Sequence, residues 1–308
     1  MLTSSRCSLL CTAALLVAAA TSQSEGEFGF LFAANAGALT GKNEGDLAEA
    51  LRGACATGHP VRLVVDAPAL ARTLRPPCDR VDVVALGGGT RGAETGGAAA
   101  LAAARRFKLE AIVAGLAEAF PGGTLYLDND VAIRAGAAGE LSAVFAAILR
   151  AGKAFGLVEA QRRLPERHRA GDVPDGFAER NGGAVFFGDA ERSRRLAADW
   201  LAEFDARPSR DGHDQPALRR VLWRRRDELY DVPGGIQCRG LRLDEAGVRR
   251  PKRRSCDPCE RDAAGYWPLL WHDHQLTLRE NAARHTLLSN GSLCGFAVAP
   301  PPGRPGSG

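Results

Sequence analysis

The order of apolar and polar positions predicts strands that alternate with helices along most of the chain. Apolar runs of three to six residues predict β-strands, and longer stretches with apolar residues at helical spacing predict α-helices. The predicted strands are Phe30–Ala34, Val61–Val65, Val81–Leu86, Leu125–Leu127, Ala154–Val158 and Val185–Phe187. The predicted helices are Asp46–Cys55, Ala98–Phe107, Leu109–Ala119, Ala143–Leu149 and Arg192–Phe204. This alternation is typical of an α/β fold with a mostly parallel sheet.

Two aspartates stand directly after predicted strands. Asp66 follows the second strand, and Asp128 follows the strand that ends at Leu127. Because ligands of parallel α/β sheets bind at the carboxyl ends of the strands, both are candidate ligand-binding residues. Asp128 also forms an Asp-x-Asp pair with Asp130. Two such carboxylates suit a hard divalent cation that can also bind diphosphate oxygens, although the same pair is common in ordinary turns.

The composition excludes several classes of protein. A length of 308 residues fits one large domain or two small ones. Apolar residues make up 45% and charged residues 25%, which is ordinary for a globular protein and argues against extensive disorder. The net charge of +4 is too small an excess to indicate a nucleic-acid-binding protein.

The amino-terminal segment differs from the rest of the chain. Arg6 precedes an apolar stretch over 7–20, and small polar residues follow. This pattern is typical of a secretory signal peptide cleaved before Gln23, and the stretch is shorter than the span of about 20 residues that a membrane helix needs. We expect residues 1–22 to be a signal peptide, with an uncleaved Golgi-type anchor or a wrongly assigned start as alternatives. The protein would then lie in the secretory-pathway lumen or be secreted.

Cysteine use fits an oxidising compartment. The cysteines that remain after the predicted cleavage are Cys55, Cys78, Cys238, Cys256, Cys259 and Cys294. Six cysteines suit disulfides but allow 15 pairings. Cys256 and Cys259 precede His272 in a pattern that resembles part of a zinc finger, yet only one residue separates His272 from His274, too few for a finger. We favour disulfides here, with a redox-active pair as the alternative. Asn290 begins a glycosylation sequon that this compartment would make usable.

Six short segments carry a resemblance to a known family. They are Phe28–Asn35, Pro60–Asp66, Phe107–Ile112, Thr124–Val131, Arg180–Phe187 and His213–Leu218, the last preceded by Trp200. In order and spacing they resemble the nucleotide-diphospho-sugar transferases, glycosyltransferases of the GT-A fold, over about residues 28–280. The resemblance implies a Rossmann-like, mostly parallel sheet flanked by helices in one domain over 23–298. Residues 299–308, rich in Pro and Gly, would form a disordered tail.

The resemblance implies a nucleotide-binding part at the ends of the first strands. Ala33, Asn35 and Asp66 would line the base and ribose. Lys108 would face the ribose or a phosphate, and Asp128 the ribose or a metal-bound water. The implied donor is a nucleotide-diphospho-sugar, for which UDP is the commonest nucleotide in such enzymes. Without the resemblance, a turn residue or helix cap is an equally good interpretation of Asp66, and an exposed helix lysine is an equally good interpretation of Lys108.

The resemblance also implies a metal site for Mn²⁺ or Mg²⁺. Asp128 and Asp130 would bind the ion together with a late histidine, His272 or His274. Two histidines at i and i+2 on a strand share one face. An imidazole beside carboxylates suits manganese better than calcium. The alternative is a pair of polar residues at a strand end.

A third set of residues would surround the transferred sugar. Asn181 and Gly183 would shape its pocket, and Asp214 and Gln215 would face the sugar or the acceptor, a glycan or glycoprotein hydroxyl. Asp214 is the candidate base for an inverting enzyme, whereas a retaining enzyme does not need one, so the stereochemistry stays open. Lys108 and an arginine-rich loop over 161–176 would add electrostatic stabilisation.

Two other functions remain as alternatives. A haloacid-dehalogenase-type phosphatase also ends a strand with Asp-x-Asp, but its motif continues to Thr or Val where this chain has Ala132. The phosphatase motif would also lie near the start of the chain, whereas Asp128 and Asp130 lie far from it. The other alternative is a non-catalytic, secreted carbohydrate-binding protein on a transferase-like scaffold, which would bind a nucleotide sugar without releasing the nucleoside diphosphate.

Overall fold

A computed structural model describes residues 26–35, 44–87, 97–159, 171–239, 242–243, 249–250 and 268–272. Several predictions lie outside these residues. They concern the signal segment, most of the arginine-rich loop, the Cys256–Cys259 pair, His274, the sequon at Asn290 and the carboxyl-terminal tail.

The described residues form strands and helices at the following positions. The strands are β1 (Gly29–Ala34), β2 (Val61–Val65), β3 (Val81–Ala85), β4 (Thr124–Leu127), β5 (Val131–Ile133), β6 (Phe155–Glu159), β7 (Arg180–Phe187), β8 (Leu229–Val232), β9 (Gln237–Arg239), β10 (Arg242–Leu243), β11 (Arg249–Arg250) and β12 (Leu270–His272). The helices are α1 (Glu44–Ala56), α2 (Pro68–Thr73), α3 (Ala98–Ala117), α4 (Ala138–Arg150), α5 (Ala190–Ala206) and α6 (Gln215–Arg224).

The main sheet is mostly parallel, as the sequence predicts. Its strand order is β3-β2-β1-β4-β7-β6-β8, and only β7 runs antiparallel to its neighbours. The reversed direction brings the first residues of β7 to the carboxyl end of β4, where Leu127 pairs with Ala184. The backbone N–H of Asp128 donates to the carbonyl of Gly183 at 2.8 Å. The Asp-x-Asp pair therefore lies beside the Asn181–Gly183 segment.

A three-stranded sheet brings a late part of the chain to the same place. In the order β5-β12-β9, β12 is antiparallel to β5 and parallel to β9. His272 pairs with Val131, the residue that follows Asp130. The pairing places the last residue of β12 beside the Asp-x-Asp pair.

The two faces of the main sheet pack against different helices. Alternate residues of a strand point to opposite faces, so Phe30 and Phe32 belong to one buried cluster and Leu31 to another. The first cluster includes residues of α1 and α4, and the second includes residues of α3, α5 and α6. One continuous helix, α3, covers both predicted segments around Lys108.

A disulfide joins Cys55, in the last turn of α1, to Cys78 before β3, with their Cα atoms 6.2 Å apart. This pair was one of the pairings that the sequence left open. Among the described residues, none of the helices combines the length and apolar character that a membrane span requires.

Candidate active site

The carboxyl ends of three neighbouring parallel strands form one edge of the main sheet. Asn35 directly follows β1, Asp66 follows β2 and Asp128 follows β4. Asp66 is buried, with 7% of its surface exposed. Ala33 lies within β1 opposite Val64. The structure therefore places the residues predicted to line the nucleotide along a single edge.

Lys108 is the buried centre of the charged residues at this edge. Its Nζ lies 3.0 Å from Oδ1 of Asp128 and 3.2 Å from Oδ2 of Asp214, and it donates to the carbonyl of Gly182 at 2.9 Å. An ammonium group has three donors, and these three oxygens match them. Only 6% of the residue is exposed, so the alternative of an exposed helix lysine is wrong.

Asp128 is held as an anion. Burial raises the pKa of its carboxyl group, but Lys108 and Arg105 oppose burial and bring the pKa below its ordinary value. The hydroxyl of Tyr126 donates to Oδ1 of Asp128 at 2.7 Å. Burial, and next the negative charge of Asp128, raise the pKa of Tyr126 well above its ordinary value, so this hydroxyl keeps the proton that it donates.

Asp128, Asp130 and His272 form a candidate metal site. One possible ligand atom from each lies within 4.8 Å of the other two, and Nε2 of His272 is 3.1 Å from Oδ1 of Asp130. Ligand atoms around one divalent ion lie about 2.0–2.6 Å from it, and so at most about 5 Å apart. Two carboxylates and one imidazole therefore fit a divalent cation both in donor chemistry and in spacing.

Two amide side chains hold the other side of the His272 ring. Nδ2 of Asn181 and Nε2 of Gln237 each lie 3.3 Å from Nδ1 of His272. An imidazole that binds a metal through Nε2 carries its proton on Nδ1, so one of these amides would present its oxygen to Nδ1 and so orient the ring. Asn181 is thus placed beside the metal site as well as beside the predicted sugar pocket.

A glycine is needed at position 183 because the candidate metal site lies close to the backbone there. A Cβ atom at this position would stand 2.5 Å from Cε1 of His272 and 3.0 Å from Oδ2 of Asp128. Its N–H donates to Oδ1 of Asn181 at 2.9 Å, which connects the segment to the amide that faces His272. A side chain here would displace the His272 ring.

Asp214 and Gln215 mark the start of α6. The indole N–H of Trp200 donates to the carbonyl of Asp214 at 3.1 Å, which connects α5 to this helix start. The side-chain amide of Gln215 donates to the carbonyl of Arg180, next to Asn181. Gln215 is therefore joined to the site through the backbone of β7.

The structure brings together most of the residues that the sequence identified. The contacting set is Lys108, Asp128, Asp130, Asn181, Gly183, Asp214 and His272. Sequence reasoning missed Tyr126, Gln237 and Arg105. Arg105 stands three residues before Lys108 on α3, a spacing that places both on one helix face and that the sequence displays.

Comparisons with known proteins show the fold. No protein-family model and no curated protein matches the chain. The galactosyltransferase LgtC, solved with donor and acceptor sugar analogues, is similar with a TM-score of 0.51 and 17% identity over 86% of this chain and 96% of that chain. An active-site glutamine-to-glutamate variant of LgtC gives the same values. The apo form of mouse xyloside xylosyltransferase 1 has a TM-score of 0.41 and 15% identity over 69% of this chain and 87% of that chain. The likeness to LgtC confirms the predicted GT-A, Rossmann-like fold.

Proposed function

We propose that this chain is a metal-dependent glycosyltransferase that moves a sugar from a nucleotide-diphospho-sugar to an acceptor hydroxyl. The observation that carries the proposal is the Asp128, Asp130 and His272 group at the carboxyl ends of the strands. Its position in a GT-A fold adds support, because LgtC was solved with donor and acceptor sugar analogues. A UDP-sugar is the proposed donor, and a glycan or glycoprotein hydroxyl is the proposed acceptor.

The metal group supplies one part of the chemistry. Asp128, Asp130 and His272 would hold Mn²⁺ or Mg²⁺, and an imidazole among oxygen ligands favours manganese over calcium. A divalent ion bound there acts as a Lewis acid toward the negative charge that builds on the leaving diphosphate.

Protein groups prepare the remainder of the site. Lys108 holds the carboxylates of Asp128 and Asp214 at fixed positions before any ligand binds. Charges fixed in advance by a buried framework need no reorganisation during the reaction. Asp214 is placed to accept a hydrogen bond from a sugar or acceptor hydroxyl, and in an inverting enzyme it would be the base that takes the acceptor's proton. Asn35 and Asp66 are proposed to bind the nucleotide from the neighbouring strand ends.

Gln215 has a proposed role of its own. LgtC has an active-site glutamine, as its glutamine-to-glutamate variant records. In this chain the Gln215 amide nitrogen bonds to the Arg180 carbonyl, which leaves the Oε1 atom as the group available to a sugar. We therefore assign Gln215 to the sugar end of the site, next to Asn181.

The proposed location is the lumen of the secretory pathway. The Cys55–Cys78 disulfide supports it, because such bonds persist mainly in oxidising compartments. The predicted signal segment and the sequon at Asn290 agree with this location. Expression of the full chain in a secretory host should yield a product that begins at Gln23 and loses mass on enzymatic deglycosylation. A product that keeps residues 1–22 would favour the anchor.

Ligand-induced stabilisation tests the function. Thermal unfolding of the full chain would be followed with a panel of nucleotide-diphospho-sugars, with and without Mn²⁺. A ligand present at 100 times its dissociation constant stabilises the folded state by about 2.7 kcal/mol. Asp130→Asn should abolish the manganese-dependent part of the stabilisation. The control is Asp227→Asn, which changes an exposed aspartate whose carbonyl accepts a bond from Lys153.

Turnover then separates the proposal from its alternatives. With acceptor glycans or water, the wild-type chain should release the nucleoside diphosphate, and Asp130→Asn should not. Binding without release would indicate a non-catalytic carbohydrate-binding protein. Hydrolysis of a phosphate monoester without sugar transfer would indicate a phosphatase. Absence of stabilisation by every nucleotide sugar tested would contradict the proposal.

A further inference from the structure

One face of α6 lies along residues 174–180, which lead into β7 and which we call the β7 entry. Gln215, Arg219 and Trp223 stand four residues apart on α6, a spacing that puts them on one side of the helix. The Gln215 amide donates to the carbonyl of the first residue of β7. The Trp223 ring lies edge-on against the Phe177 ring, with the centroids 5.4 Å apart. The β7 entry therefore follows the surface of a single helix.

Arg219 makes the central contact between α6 and the β7 entry. Its NH2 donates to the carbonyls of Pro174 and Phe177 at 2.9 and 3.0 Å. The N–H of Phe177 also donates to the Pro174 carbonyl at 2.9 Å, so the two residues are the first and last of one tight turn. Arg219 therefore fixes this turn at both ends.

Folding stability is a poor explanation for a charge at this position. Only 5% of Arg219 is exposed, and the hydrogen bonds that it donates within the described chain end on carbonyls and not on a carboxylate. Its buried Nε–H has no hydrogen-bond partner among the described residues. Burying a charge without an opposite charge is costly, and apolar residues in place of buried charges are often as stable or more so. A fixed position of the turn accounts for an arginine better than added stability does.

The position of the turn matters because Asn181 follows it closely. The Asn181 amide faces Nδ1 of His272 at 3.3 Å and accepts a bond from the N–H of Gly183 at 2.9 Å. Pairing of β7 with β4 begins only at Ala184, and its pairing with β6 is irregular over the preceding residues. The sheet therefore supports the first residues of β7 less than the later ones, and α6 adds support from outside the sheet.

We propose that Arg219 is a positioning residue, which fixes the 174–177 turn, holds Asn181 against His272 and so keeps the imidazole aimed at the metal ion. The inference rests on the proposed function and adds to it a residue outside the ligand-binding groups. The described contacts of Arg219 are with the turn and not with the candidate metal ligands, so it acts through Asn181.

Two arginines of α6 provide a matched comparison. Arg224 donates to the carboxylate of Glu203 at 2.9 Å, and its side chain is about half exposed. Arg219→Met and Arg224→Met remove the same charge from the same helix, but only the first releases the turn. The chain before β7 stays attached to α6 in Arg219→Met, because Asp172 keeps the bond that it accepts from Arg220 at 2.8 Å.

Calorimetric titration of the full chain with Mn²⁺, at a temperature where every variant is folded, measures the effect without any substrate. Loss of a group that orients a metal ligand weakens the metal about 10- to 100-fold, and Arg219 acts one step further away, so Arg219→Met should weaken Mn²⁺ about 3- to 10-fold. A lysine keeps the charge but reaches less far, so Arg219→Lys should fall between wild type and Arg219→Met. Arg224→Met should match wild type.

A positioning role also predicts two results that a loss of stability alone would not produce. In a chain that already carries Asn181→Ala, Arg219→Met should change Mn²⁺ affinity less than about twofold, because the two substitutions interrupt the same path. In the metal-free chain, the ring ¹⁵N resonances of His272, assigned with His272→Gln, should move in Arg219→Met and stay in place in Arg224→Met.

Three results would overturn the inference while leaving the proposed function intact. They are wild-type Mn²⁺ affinity with unmoved His272 resonances in Arg219→Met, additive losses in the double variant, and equal losses in Arg219→Met and Arg224→Met. If Arg219→Met does not fold, the same measurements on Arg219→Lys decide, and wild-type affinity with unmoved resonances there would contradict the inference. Failure of wild type to bind Mn²⁺ would contradict the proposed metal-dependent function itself, and it would be visible without any variant.

Discussion

The main sheet has one edge at the amino ends of its parallel strands and another at their carboxyl ends. We call them the amino edge and the carboxyl edge, and they hold their polar groups in opposite ways. At the amino ends of β1 and β3, the ion pair of Glu27 and Arg80 is 3.5 Å long, and both side chains are more than half exposed. Aromatic packing dominates there, with the ring centroids of Phe28 and His59 3.9 Å apart. At the carboxyl ends, the side chains of Lys108, Asp128 and Asp214 are at most 14% exposed.

This difference separates residues that serve folding from residues that serve a ligand. Exposed ion pairs contribute about 0–1 kcal/mol, and a folding protein can keep or lose them at little cost. Buried charges must be removed from water, and well-packed apolar residues in their place are often as stable or more so. Stability therefore does not explain why the carboxyl edge buries several charges. The need to bind a ligand explains the buried charges. Buried charged groups with shifted pKa values in a cleft are typical of functional sites.

The largest expected effect comes from removing a cation at each edge. Lys108→Met would leave Asp128 and Asp214 buried without their main partner, and we expect a loss of about 3–5 kcal/mol in the free energy of unfolding. Arg80→Met, at the amino edge, should cost less than about 1 kcal/mol. Denaturant unfolding of the two variants beside wild type measures both values. Similar losses in the two variants would contradict the contrast between the edges.

The same contrast explains how much of the molecule the sequence could predict. The span of β2 agrees with its prediction to the residue, because a β-branched apolar run buried between two neighbours has a clear local pattern. The strand-end rule identified Asp66 and Asp128 before any resemblance was considered. Strands β5, β9 and β12 have three residues each. Their partners are distant in sequence, so no local pattern could reveal how His272 reaches Asp130.

Arg105 shows a different limit of sequence reasoning. It stands beside Arg106 in an alanine-rich helix, and the two residues are chemically the same. What separates them is their phase on the helix relative to Lys108, which becomes informative only once Lys108 is known to face the site. The prediction of the site was therefore strongest for residues at strand ends and weakest for residues whose role depends on a helix face.

Replacing one glycine by alanine at each edge tests the comparison further, because each substitution adds a single methyl group. At Gly29 a Cβ would overlap the Phe120 ring, and Gly29→Ala should cost about 1–3 kcal/mol of unfolding free energy as an overpacked core does. It should leave Mn²⁺ affinity unchanged. Gly183→Ala should instead weaken Mn²⁺ about 10- to 100-fold, because the methyl group displaces His272. Unfolding curves and manganese titrations of both variants measure whether stability falls in Gly29→Ala and manganese affinity falls in Gly183→Ala. If Gly183→Ala bound manganese as tightly as wild type, His272 would not be a ligand of the metal.

The smallest expected effect is a pH dependence that belongs to the amino edge. Burial lowers the pKa of His59, despite the opposing charge of Glu27. An unfolded histidine takes up its proton near pH 6.5, so below that pH the unfolded chain binds more protons than the folded chain at this position. Folding stability from His59 is therefore complete above about pH 6.5 and declines as the pH falls.

Since solvent partly reaches the His59 ring, the loss between pH 7.5 and 5.5 should stay below about 1 kcal/mol. The measurement is the difference in unfolding free energy between these two pH values, for wild type and for His59→Gln. The variant should lose this share of the pH dependence and should bind nucleotide sugar and Mn²⁺ as wild type does at both pH values. An altered ligand affinity in His59→Gln would mean that the amino edge also serves the site, because a group that acts only through stability leaves binding to the folded chain unchanged.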